Sequence, residues 1–148
     1  MHASDLPRSI VLDLVTSLCG ELLGKGMSRE VYAWSPNEEL VLKLETGDHF
    51  QNVMEWETWW KAKETKHACW LAPPVWISGC GTALLMHRTA PLRRGEEPES
   101  LPAWLSDHKR RNFGTLLGRV VCHDYGTNLL LNHGAAAGRM KRCEYWND

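Results

Sequence analysis

The chain has 148 residues, of which 43% are hydrophobic and 24% charged, with a formal net charge of -1. That is enough apolar material for one compact core, and the near-neutral balance excludes a global field that would draw in nucleic acid or an anionic membrane. Five cysteines stand singly, with no CxxC pair, which argues against a disulfide framework and fits a reducing cytoplasm. The first residues carry neither a basic region nor an apolar core of signal-peptide type, and no apolar run approaches a membrane span. Eight tryptophans, Trp59 and Trp60 adjacent, suit either a core of large side chains or a surface for a protein partner.

In chain order, Ser4 or Asp5 caps an expected helix with Pro7 in its first turn. Its apolar positions are Ile10, Leu12, Val15 and Leu18, and Gly20 stands at the C-cap. Leu22 and Leu23 then lead into Gly24-Lys25-Gly26 and the β-forming run Val31-Tyr32-Ala33-Trp34. Ser35-Pro36-Asn37 is a turn signal, and Leu40 to Leu44 is a further strand, which makes an antiparallel meander. From Asp48 to about Lys66 the residues favour helix, with Phe50, Val53, Met54 and Trp60 on one broad side. Ala72-Pro73-Pro74 ends it. Strands at Val75–Ser78 and Thr82–Met86 flank the turn Gly79-Cys80-Gly81. Pro91 to Pro102 reads as a polar, exposed connection, followed by a helix from about Ser106 to Val120. Leu129 to Leu131 is strand-like, Asn132-His133-Gly134 a turn, and Arg139 to Tyr145 the partner strand. The plan is α+β.

Two glycines one apart favour close approach of backbone N–H groups to phosphate oxygens. Lys43, inside the apolar strand Val41-Leu42-Lys43, is costly there unless its ammonium has anionic partners. Gly24-Lys25-Gly26-Met27-Ser28-Arg29-Glu30-Val31-Tyr32 followed by Val41-Leu42-Lys43 resembles the N-lobe of protein kinases and of small bacterial and phage kinase-like proteins, with Arg29 at the third glycine's place. The resemblance implies ATP as ligand, Gly24, Gly26 and Val31 around it, and a helix glutamate paired with Lys43. Glu55 and Glu57 both qualify; Glu55 is preferred because Trp59 follows it by one helical turn, whereas Lys61 follows Glu57. Leu84 to Leu92 resembles the fifth strand entering the hinge, which implies Met86 as gatekeeper and the backbones of His87 and Thr89 on the adenine edge.

His123-Asp124-Tyr125-Gly126-Thr127-Asn128 resembles the kinase catalytic loop, one residue short and lacking its Arg. It implies Asp124 as the base and Asn128 as a magnesium ligand. Asp124-Tyr125-Gly126 read instead as the magnesium motif is disfavoured, because a hairpin follows it. On the resemblance Glu144 takes the place of the second magnesium ligand, with Tyr145 and Trp146 completing that motif and Asp148 a poorer stand-in. It further implies a truncated form that ends just after the magnesium strand. The expected organisation is a single domain, 1–148: a helix at about 1–20, an N-lobe-like part at 21–90, a linker at 91–103 and a reduced helical C-lobe-like part with a hairpin at 104–148.

Two functions follow as alternatives. One is a minimal, cytoplasmic ATP- and Mg2+-dependent phosphotransferase using Lys43, Glu55, Asp124, Asn128 and Glu144. The other is a pseudokinase that acts by gripping a protein partner such as a host factor. Zinc binding by His67, Cys69, Cys80 and His87 lacks paired-ligand spacing. Cys122 beside His123 is better read as a buried thiol than a nucleophile–base pair, and the basic run at His108–Arg111 as a solvated face.

Overall fold

A computed structural model of the chain describes residues 6–131 and 138–143. They form an α+β fold in two compact units, one made of the described residues up to Trp56 with Pro73–Arg88, the other of Glu57–Ala72 and the described residues from Thr89 onwards.

The first unit opens with helix α1 (Arg8–Leu18), its N-cap at Pro7 and its C-cap at Cys19. The expected cap residues Ser4 and Asp5 lie outside the described residues. The chain turns extended at Cys19, one residue before Gly20, and enters strand β1 (Cys19–Lys25). Strands β2 (Arg29–Trp34), β3 (Leu40–Glu45), β4 (Pro74–Ile77) and β5 (Ala83–His87) complete a five-stranded sheet in the order β1-β2-β3-β5-β4. Its named pairings are all antiparallel. Helix α2 (Gln51–Ala62) connects β3 to the segment before β4. In the β4–β5 turn Gly81 has φ +73, and a Cβ there would lie 2.7 Å from Val53 Cγ2, so only glycine fits.

Register assigns the two faces of this sheet. Tyr32, Leu42 and Leu85 are cross-strand neighbours and so share one face. There Leu42 and Ala83 are buried against Val11 and Val15 of α1, with Tyr32, Trp34, Leu44, Trp76 and Leu85 packed around them. Fully burying a side chain such as Leu42 stabilises by about 1.5–3 kcal/mol. The face expected for α1 is therefore shifted in part: Val15 is buried as expected, but Ile10 and Leu18 are exposed and Val11 packs with Val15 in their place. The other face of the sheet carries Val31, Lys43 and Leu84 in one cross-strand row and Ala33, Val41 and Met86 in the next.

Helix α2 also turns a different side inward. Phe50, just before its first residue, and Trp60 are exposed, and the buried positions are Asn52, Glu55, Thr58 and Ala62. The spacing is helical, but the stripe is polar.

The second unit is built from short strands. After α2 comes a 3-10 helix (Lys66–Trp70), capped by the Thr65 hydroxyl, which accepts the His67 N–H. Strands β6 (Ala90–Pro91), β8 (Phe113–Leu116) and β9 (Arg119–Cys122) form one sheet, and β7 (Ser100–Pro102) pairs with β10 (Met140–Arg142). The helix expected over Ser106–Val120 is thus replaced by a 3-10 turn (Arg110–Asn112) and the β8–β9 hairpin. Leu117 and Gly118 occupy its two-residue turn with φ of 51 and 76. Positive φ at both positions is the hairpin turn that matches strand twist, and Gly118 with β-branched Thr115, Val120 and Val121 favours it over helix.

Two further expectations change. The connection expected to be exposed at 91–103 holds β7, whose Leu101 and Pro102 are buried. Leu129–Leu131 is not a strand, because the Asn128 side chain accepts the Leu130 N–H and closes a local turn. The partner of β10 is β7 instead. Asn132-His133-Gly134 and Glu144 to Asp148 lie outside the described residues. No helix among the described residues is long and apolar enough to cross a membrane. No disulfide joins Cys19, Cys69, Cys80, Cys122 or Cys143.

Candidate functional site

The glycine segment spans the end of β1 and the turn into β2. The Gly26 N–H donates to the Arg29 carbonyl at 2.9 Å, and Met27 at the tip is 99% exposed. A Cβ on Gly24 would meet nothing within 4 Å, and one on Gly26 nothing nearer than 3.9 Å. Internal packing therefore does not demand glycine at either position.

Lys43 lies opposite Val31 on β2 and Leu84 on β5, and is 3% exposed. Its ammonium donates to Glu55 Oε2 at 2.9 Å and Oε1 at 3.1 Å. Glu57 is exposed, and Glu55, fully buried, is the carboxylate that receives Lys43. A buried cation is tolerable in such a strand only with a partner of this kind.

A second cation completes the group. Arg29 Nη2 donates to Glu55 Oε1 at 2.8 Å, and its Nη1 donates to Asn52 Oδ1 at 3.2 Å. The Asn52 amide group reaches the carbonyls of Lys43, Gly81 and Thr82 at 3.0–3.1 Å, and its backbone N–H donates to Glu45 Oε1 at 2.7 Å. One side chain of α2 thus ties β3, the β4–β5 turn and Arg29 together. Burial pushes the Glu55 carboxyl up, but the adjacent Arg29 and Lys43 charges and their hydrogen bonds outweigh it and hold it down at about 2.

Arg29, Asn52 and Glu45 were not read as site residues from the sequence. The available signal was a buried-helix spacing occupied by Asn52, Glu55 and Thr58, which only makes sense if polar partners await them.

Met86 is fully buried opposite Val41, on the face shared by Val31 and Lys43. The His87 N–H donates to the Pro73 carbonyl at 2.9 Å, so that donor is used inside the sheet. Thr89 belongs to the second unit, where its hydroxyl lies 2.8 Å from His123 Nδ1.

Also in the second unit, Asp124 is exposed in the loop after β9. Asn128 is buried; its amide group donates to Thr58 Oγ1 at 2.8 Å and to the Tyr125 carbonyl at 2.7 Å, and its oxygen accepts the Leu130 N–H at 3.0 Å. Tyr125, buried as well, donates its hydroxyl to the Ala72 carbonyl at 2.8 Å. These bonds pin the loop to the segment following α2 (residues 63–72) and to α2 itself. Glu144 lies outside the described residues. Among the described residues no three His, Cys, Asp or Glu side chains gather around a common metal position.

No family model matches the chain, and no curated protein matches it. Among solved structures it is similar to APH(2")-IIa in a ternary complex with streptomycin and ATP, at 20% identity and a TM-score of 0.41. The match covers 60% of this chain and 30% of that one. The first unit thus combines five antiparallel strands, a helix between β3 and β4, and a β3 lysine paired with a glutamate of that helix.

Proposed function

We propose that the chain is a nucleotide-binding, kinase-like protein. The observation that carries this reading is the buried Lys43–Glu55 pair at 2.9 Å, on the sheet face that also presents Val31 and Met86. A lysine so held is a point charge of fixed position, suited to the phosphates of ATP. Gly24 and Gly26, which packing leaves free to be any residue, suit the cradle over those phosphates; Met86 suits the adenine side, with the His87 and Thr89 backbones there by resemblance alone. Bound Mg2+ would neutralise phosphate charge, with Asn128 and Glu144 as its ligands by resemblance.

Thermal-shift titration with Mg·ATP tests the reading. Stabilisation that grows with nucleotide concentration, and is lost in Lys43→Met, is the expected result. No shift in a folded protein removes the claim.

Phosphotransferase activity is proposed for Asp124 as the base. A pseudokinase that acts through a protein partner is the second reading, favoured by Asn128, whose oxygen and amide are both engaged within its own loop and with Thr58. Labelled ATP, with wild type and Asp124→Ala side by side, separates the two. Transfer that vanishes in the variant supports the enzyme; binding without transfer in either supports the pseudokinase.

A further inference from the structure

The second unit holds a cleft of about 270 Å3 lined by Thr89, Leu92, Arg110, Arg111, Phe113 and His123. Two hydrogen bonds on its wall form a relay. The His123 ring lies with Nε2 at 2.7 Å from the Arg111 carbonyl and Nδ1 at 2.8 Å from Thr89 Oγ1. A carbonyl only accepts, so Nε2 carries the proton. In the neutral ring Nδ1 then has a lone pair, and the Thr89 hydroxyl donates to it. Thr89 thereby stands to His123 as a nucleophile to its base, with the Arg111 carbonyl orienting the base.

Several features hold this arrangement. A Cβ on Gly114 would come within 2.5 Å of Thr89 Oγ1 and 2.7 Å of the Ala90 carbonyl, so the glycine makes the room in which the threonine sits. The His123 N–H donates to the Asn112 carbonyl at 2.9 Å, fixing the backbone that carries the ring. Arg110 is paired with Glu97 and donates through Nη2 to the Leu92 carbonyl at 2.9 Å, which sets its guanidinium on the cleft wall. Arg110 and Arg111 line the same cleft, Arg110 sharing its charge with Glu97, and a cleft so lined favours an electrophile that carries negative charge.

We propose that Thr89 is an acceptor site for a phosphoryl group, with His123 as its base. His123 Nδ1 takes the hydroxyl proton as Thr89 Oγ1 forms its bond to phosphorus. The bond from phosphorus to the donor's bridging oxygen breaks, and its electron pair leaves on acetate if the donor is an acyl phosphate, or on ADP if it is ATP. The imidazolium then returns its proton to solvent. The inference goes beyond the nucleotide reading, because an acyl phosphate in solution needs neither the glycine turn nor Lys43.

Incubation of the full chain with acetyl phosphate and, separately, with Mg·ATP, followed by site-resolved peptide mass spectrometry, tests it. The expected result with acetyl phosphate is one added phosphoryl group on Thr89. It should persist at position 89 in Thr89→Ser and be slowed on the order of 100-fold in His123→Gln. Glutamine keeps a donor for the Arg111 carbonyl but has no base for the hydroxyl, and circular dichroism checks that the variants fold. No label on Thr89, or labelling equally fast in a folded His123→Gln, overturns the proposal. Label from acetyl phosphate alone supports the site and rejects ATP as its donor. Label from Mg·ATP as well supports the site with ATP as a second donor.

Discussion

The buried charge cluster of the first unit and the loop after β9 in the second use their polar groups differently. In the first, Arg29, Lys43, Asn52 and Glu55 are buried and bonded to one another, side chain to side chain. In the loop after β9, by contrast, Tyr125 and Asn128 bond largely to backbone carbonyls and N–H groups, and the charged Asp124 is exposed. The first arrangement fixes where charges stand; the second fixes the shape of a loop. Charge lost from the first should therefore cost more stability than charge lost from the second.

The largest expected effect is that of Glu55→Ala, which leaves two buried cations without their shared anion. It should destabilise by roughly 3–5 kcal/mol in denaturant unfolding. A loss below about 1 kcal/mol would mean that the pair contributes little to holding α2 on the sheet.

Acid should act on the same carboxylate. Its folded value of about 2 lies below the ordinary 4.5, so its contribution is fully present above pH 4.5 and is lost as pH falls towards 2. The amount at stake is on the order of 3 kcal/mol. Thermal melts in Glu55→Gln should lose that limb of the pH profile, and an unchanged profile would assign acid sensitivity to other groups.

Arg29→Lys comes next, at about 1–2 kcal/mol, because an ammonium cannot bond Glu55 and Asn52 together through a planar fork. Equal stability of the lysine variant would show that position 29 needs only charge. The smallest effect is expected for Asp124→Asn, within about 0.5 kcal/mol of wild type by chemical denaturation. A larger loss would place that side chain on the structural side of the comparison.

Much of the first unit was legible because its signals are local. Apolar runs at Val31–Trp34 and Leu40–Leu44 are separated by Ser35-Pro36-Asn37, and the β4–β5 turn carries two glycines. Lys43 stood out because a cation in an apolar strand needs an explanation on its own terms. Arg29 did not, since its partners lie 23 and 26 residues away and nothing nearby marks it as buried. The 106–120 segment misled for a related reason. Its positive-φ Leu117 is a residue that local preference never assigns to a hairpin turn, and tertiary pairing of β8 with β6 and β9 overrides it. The partly shifted face of α1 shows the same limit, as Ile10 and Val11 are equally apolar and only the sheet chooses between them.

The polar stripe of α2 has a further consequence, for cooperativity. An apolar stripe slides on a sheet at modest cost, because leucine meets leucine in neighbouring registers. Asn52 and Glu55 find their partners in one register alone, and a slip of a single turn strands a carboxylate and two cations together. Docking of the first half of α2 should therefore be all-or-none, with no gradually loosened intermediate. Amide hydrogens of α2 around Asn52 and Glu55 should exchange at the same free energy as those of β3, as one unit rather than as a fraying helix on a stable sheet.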